Sequence, residues 1–197
     1  MKFKIVSLFV LCAILISCGT SRQGGKKQRK GTKAQVVLTP EQQRKYDYFF
    51  LEASRLKMKD DYSAAFDLLQ HCLTINPNAS SALYEISQYY MYLKQVPQGQ
   101  AALEKAVEND PDNYWYSQGL ASLYQQQNEM QKATNLLENM ATRFSDRMDP
   151  LYSLLDIYNR LEEYDNVITT LNRLEEKMGK NEQLSMEKFR IYLQKKD

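Results

Sequence analysis

Apolar and polar positions along this chain recur every 34 residues from about Tyr46 to the last residue. Ala53, Ser87, Ala121 and Leu155 form one column, and Leu56, Tyr90, Tyr124 and Tyr158 a second, larger one. Leu69, Leu103, Leu137 and Leu171 make a third. Ala65, Gly99, Ala133 and Val167 make a fourth, and Cys72, Ala106, Met140 and Leu174 a fifth. After Thr39 only short polar turns interrupt the pattern. It predicts nine helices, at about 40–58, 62–75, 80–93, 97–109, 113–127, 130–144, 148–161, 164–177 and 182–195, and no strand. A unit this short cannot bury its own apolar face, so it must stack on its neighbours. The product is a scaffold with a groove.

Helix ends agree with this reading. Thr39-Pro40-Glu41-Gln42 places a hydroxyl at an N-cap, Pro at the first helical position and Gln at the third, which is a capping box. Pro77 and Pro111 sit where one helix must stop and the next turn begin. The acid pairs Asp60-Asp61 and Glu162-Glu163 fall at turns, where they are expected to cap helix N-termini and meet the positive end of the dipole.

The columns resemble the tetratricopeptide repeat (TPR), a unit of two antiparallel helices. Its first helix carries a large residue, a small one and an aromatic; its second carries an Ala-rich small position, and Pro closes the unit. Phe49, Ala53, Leu56, Tyr62, Ala65 and Cys72 fit the first repeat, which closes at Asn76-Pro77-Asn78. Leu83, Ser87, Tyr90, Gly99 and Ala106 fit the second, which closes at Asp110-Pro111-Asp112. The third and fourth have Ser145 and Gly179 where the Pro would stand. The resemblance implies an all-α, right-handed solenoid of about four and a half repeats. Four span 39–179, and 180–197 is the first helix of a fifth or a C-terminal cap. Phe189 and Tyr192 fall in the small and aromatic columns of that last helix. Its apolar residues cover more than half the circumference, unlike a polar cap, so a longer repeat array is expected here, with a partner over this end as the alternative.

The first 38 residues read differently. Lys2 and Lys4 precede an apolar run from Ile5 to Ile16, too short to span a bilayer. Leu15-Ile16-Ser17-Cys18 resembles a bacterial lipobox, in which the Cys thiol takes a diacylglyceryl group before cleavage. Residues 1–17 are then a lipoprotein signal peptide, Cys18 the lipidation site and 18–38 a lipidated, flexible basic tether. An ordinary secretory signal with an incidental Cys is the alternative. Two or three acyl chains, at ~0.8 kcal/mol per buried methylene, anchor stably where one is marginal. Gly19 rather than Asp after the Cys favours an outer-membrane position facing the periplasm, if the enterobacterial sorting rule applies.

Charge is divided along the chain. Eight of the 26 basic residues precede Thr39, leaving 18 against all 24 acids, so the repeat region is −6 while the tether is +6. The tether either lies on anionic headgroups or is a solvated spacer. An acidic folded region argues against nucleic acid. No catalytic constellation, cofactor motif or metal-ligand spacing stands out, so an enzyme is disfavoured. His71 is expected on the outer face, without ligand partners, and Cys72 as a small core residue.

Function is left to the concave surface, which the resemblance assigns to the first helix of each repeat. One column there holds Phe50, Tyr84, Gln118 and Tyr152, with Gln88 and Asp156, Met91 and Gln125, and Tyr92 beside it; Trp115 opens the third repeat. These residues suit an extended or helical peptide held by aromatic anchors and side-chain amides. Roughly half of the rings are expected to be buried between repeats. Such a chain is expected to be a lipid-anchored protein–protein scaffold in assembly or secretion of envelope complexes. The alternative is an adaptor that recruits a cell-wall hydrolase or protease to the envelope.

Overall fold

In the computed structural model, the described residues run from 37 to 195. The expected signal peptide, Cys18 and nearly all of the tether lie outside them. The described residues form nine helices and no strand: α1 (Pro40–Lys57), α2 (Tyr62–Ile75), α3 (Ser80–Tyr92), α4 (Val96–Asn109), α5 (Tyr114–Gln126), α6 (Met130–Arg143), α7 (Asp149–Arg160), α8 (Tyr164–Met178) and α9 (Glu182–Gln194). Every boundary lies within one residue of the position the periodicity predicts. Thr39 caps α1 as expected: its hydroxyl accepts from the Gln42 amide at 3.2 Å, and its own amide donates to Gln42 Oε1 at 2.9 Å.

The turn inside each repeat has one construction, used four times. Asp60, Lys94, Asn128 and Glu162 all adopt left-handed backbone, with φ of 62°, 58°, 59° and 57°. The amide after each reaches back to a carbonyl of the large column. Asp61 bonds Leu56 O at 3.0 Å, Gln95 bonds Tyr90 O at 2.8 Å, Glu129 bonds Tyr124 O at 2.8 Å and Glu163 bonds Tyr158 O at 2.9 Å. This is the Schellman closure, which satisfies helix-end carbonyls and reverses the chain at once. The acid pairs are therefore only partly caps. Asp61 does cap α2, accepting from the Ala64 amide at 3.2 Å. Asp60 and Glu162 instead supply the left-handed turn, and Glu163 occupies an N-cap without a side-chain cap bond.

Packing follows the columns. Ala65, Ala133, Val167, Leu137, Cys72, Ala106 and Leu174 are fully buried, so the small positions let paired helices approach and the large ones fill the gaps. Two clusters result, one around Tyr46, Ala53, Leu69 and Ile86 and one from Leu103 to Ile191. Polar ties between repeats recur with the period: Tyr124 donates to Glu104 at 2.9 Å and Tyr158 to Glu138 at 3.3 Å.

Helix α9 completes less than a repeat. Ile191 is fully buried against the stack, whereas Phe189 is 64 % exposed and Tyr192 52 % exposed. In the other repeats those two columns meet a second helix, and among the described residues no second helix follows α9. No described helix is long and apolar enough to cross a membrane.

Candidate binding groove

Two neighbouring clefts open along α3, at the interfaces of the first three repeats. The first, of about 370 Å³, is lined by Phe50 of α1, Ser81, Tyr84 and Glu85 of α3, and Asn113, Trp115 and Tyr116 at the start of α5. Its aromatic wall is ordered by packing. The Tyr84 and Tyr116 ring centroids are 4.8 Å apart, and Arg147 lies 3.8 Å over Tyr114 and 5.5 Å from Trp115. Asn113 Oδ1 accepts from the Trp115 amide at 3.1 Å and fixes the entry to α5. Trp115 itself remains 64 % exposed, a large apolar surface held in place and left open.

The second cleft, of about 450 Å³, is lined by Lys57 of α1, Tyr62 of α2, and Gln88, Tyr89 and Tyr92 of α3. Lys57 Nζ lies 2.7 Å from Glu85 Oε2, so one ion pair joins the rims of both clefts. That bond holds the Lys57 ammonium above its usual pKa. Tyr62 is pinned through its hydroxyl, which donates to Asp60 at 2.7 Å.

The expected groove residues divide accordingly. Phe50, Tyr84 and Trp115 come together in the first cleft, and Gln88 and Tyr92 in the second. Met91, Gln118, Gln125, Tyr152 and Asp156 line neither. Met91 is partly buried over Gly99. Gln118 accepts from the Tyr114 hydroxyl at 3.1 Å, and the Tyr152 hydroxyl reaches the Met178 sulfur at 3.3 Å. Asp156 faces Arg160 at 4.0 Å. Sequence columns missed Tyr62, Tyr89 and Tyr116 as lining residues. One signal was present: after Arg55 in the first repeat, Tyr89 shares its column with the aliphatic Leu123, Ile157 and Ile191, so its hydroxyl is an addition to a position that packs in the later repeats.

Other candidate groups have plain explanations. Cys72 is fully buried, and desolvation raises its thiol pKa to about 11, which suppresses the thiolate. His71 is exposed, with its ring 5.6 Å from that of Phe49. No cluster of potential metal ligands occurs among the described residues.

Residues 80–113 match the family model described as tetratricopeptide repeat. A MamA crystal structure is similar, at 19% identity over 68% of this chain and 73% of that one, with a TM-score of 0.58. So is a tetratricopeptide repeat protein from Parabacteroides merdae, at 16% identity over 73% and 57% of the two chains, with a TM-score of 0.61. A third is YrrB, described as a TPR protein with an unusual peptide-binding site, at 13% identity over 75% and 76% of the two chains and a TM-score of 0.58. No curated protein matches the chain in sequence. The fold is a TPR solenoid, the architecture of protein–protein interaction scaffolds.

Proposed function

We propose that this chain is a lipid-anchored scaffold that holds a polypeptide partner in the clefts beside α3 and acts in assembly or secretion of envelope complexes. The observation that carries the groove is the first cleft, where Phe50, Tyr84, Tyr116 and a largely exposed Trp115 converge from three helices. Aromatic residues concentrated at one pocket are what peptide-binding hot spots require. A structural relative whose description includes a peptide-binding site supports the same use of the fold. The anchor rests on the lipobox-like run ending at Cys18, and Gly19 after it supports an outer-membrane position facing the periplasm where the enterobacterial sorting rule applies.

Photo-crosslinking from membranes tests both parts. Tyr84→Ala with Trp115→Ala should remove partner crosslinks while helicity stays near wild type, since hot-spot aromatics each contribute about 2 kcal/mol or more. Crosslinks that survive this pair of changes and vanish with changes at Phe189 and Tyr192 would move the binding surface to α9. Recovery of a soluble hydrolase or protease instead of membrane-complex subunits would favour the adaptor reading. Cys18→Ala should abolish labelling by a fatty-acid probe, and persistent acylation would refute the anchor.

A further inference from the structure

The Tyr89 hydroxyl is a buried side-chain polar atom without a hydrogen-bond partner among the described residues. Tyr89 is 8 % exposed, packed edge-on against Tyr62 at 6.4 Å and tilted against Phe66 at 5.9 Å. Burial raises its pKa, so the phenol stays a neutral donor across physiological pH. An unsatisfied buried hydroxyl is destabilising, and packing does not require this one. In the later repeats the same column carries Leu123, Ile157 and Ile191, each buried without a hydroxyl. Arg55 holds the position in the first repeat and is exposed, so among the buried members of the column the hydroxyl occurs at one place, the wall of the second cleft.

Three properties of that cleft define its occupant. Its surface is mainly apolar, formed by the rings of Tyr62, Tyr89 and Tyr92, so it suits a large apolar side chain. Its one positive group, Lys57, already faces Glu85 at 2.7 Å, so the site offers no net charge to attract a carboxylate. Its unused donor is neutral and shielded from water, which matches a neutral acceptor that an apolar group carries into the cleft. Tyr92, 79 % exposed, and Lys57 at the rim can change rotamer to admit it.

We propose that the second cleft is a subsite for an extended partner polypeptide, taking one large apolar side chain while the Tyr89 hydroxyl donates to an adjacent backbone carbonyl. This rests on the peptide-binding reading of the groove. The desolvation of the hydroxyl is already incurred on folding, so the new hydrogen bond adds its strength to binding with little offset. The α3 residues of the two clefts are centred about six positions apart, or roughly 9 Å at 1.5 Å per residue. A polyproline-II segment repeats its face every three residues at about 3.1 Å each, so anchors three residues apart reach both clefts.

The test is selection of a random-peptide phage library on the immobilised full chain, followed by polarisation measurements on the enriched peptides, synthesised with both ends capped. Expected are recurrent large apolar residues three apart, and about ten-fold or greater weakening by Tyr89→Phe. Lys57→Met should change affinity less than about two-fold, as expected for an exposed charge already paired. Tyr89→Phe should also raise the melting temperature, because it removes the orphaned hydroxyl, so lost binding cannot be ascribed to misfolding. Equal binding by wild type and Tyr89→Phe overturns the proposal, as does enrichment of acidic residues with strong dependence on Lys57. Peptides lost with Tyr84→Ala and Trp115→Ala but indifferent to Tyr89→Phe would leave the groove reading standing and sink this one. Recovery of no peptide at all would overturn both.

Discussion

Gly99 stands in the column that holds Ala65, Ala133 and Val167, and it is buried like them. A Cβ added there would lie 2.7 Å from the Met91 sulfur, 3.1 Å from Met91 Cγ and 3.1 Å from the Ser87 carbonyl oxygen. Met91 thus occupies the space that a methyl takes in the other repeats. Gly99→Ala sets two effects against each other. Helix propensity favours Ala over Gly by about 1 kcal/mol in a helix interior. Against it, Met91 must move and the Ser87 carbonyl, which is backbone, must yield by a few tenths of an ångström. Met is flexible and this one is only partly buried, so the penalty falls at the low end of the 1–3 kcal/mol range for overpacking, at about 1 kcal/mol. Gly99→Ala should then lie within about 0.5 kcal/mol of wild type.

Met91→Ala alone vacates that contact and should cost about 1–2 kcal/mol, below the range for a fully buried Met. In the double variant the new methyl enters the vacated space, and only the Ser87 carbonyl still opposes its helix propensity. The pair should therefore be more stable than the sum of the single changes by roughly 0.5–1 kcal/mol, the share of the overpacking that Met91 causes. Urea unfolding of all four proteins, followed by circular dichroism, gives the coupling energy directly. A coupling smaller than about 0.3 kcal/mol would show that Met91 does not fill the Gly99 site, and the packing argument for this repeat would fail.

Three further outcomes follow from the same geometry. Lys94→Gly should stabilise by roughly 0.5–1 kcal/mol by relieving left-handed strain at φ 58°, whereas Lys94→Ala should not, and thermal melts distinguish them. Burial and the neighbouring Glu138 raise the Tyr158 pKa to about 12 from the ordinary tyrosine value of about 10, so the folded state favours the protonated phenol. Its contribution should be complete below pH 10 and fall as pH rises from about 10 toward 12, a decline that Tyr158→Phe should shallow in pH-dependent unfolding. Cys72 should resist a maleimide in the native protein and react once urea unfolds it; rapid native labelling would contradict its burial.

The helices were legible because a 34-residue period samples each packing position four or five times, which averages out the ambiguity of any single residue. The Schellman turns were not. Gly is the usual mark of left-handed backbone, and Asp60, Lys94, Asn128 and Glu162 hide it. The groove was legible only as a face. Its clefts form between successive units, so their walls mix columns: Tyr62 comes from a second helix, and Tyr116 stands where neighbouring repeats have buried Ala82 and Pro150. Met91 and Gln118 showed the converse error, since a position on the right face can be consumed by a local partner.

A repeat protein provides its own reference for separating packing from function. What every unit shares must serve the stack, because stacking is the one task all units have in common. What one unit carries alone is not required by the stack and is open to selection for something else. By that criterion the fourth repeat is mostly scaffold: Leu151, Leu154, Ile157 and Val167 are fully buried apolar residues in their columns. The departures gather in the first three repeats. Tyr89 stands where the later repeats have an aliphatic residue, Tyr116 (like Tyr48 in the first repeat) where the second and fourth have Ala82 and Pro150, and Lys57 where later repeats place Met91, Gln125 and Asn159. All three line the two clefts beside α3. A ring that merely improved packing could appear in any repeat, and a hydroxyl left without a partner improves none. Their convergence on adjoining clefts is therefore better explained by an occupant than by the stability of the stack.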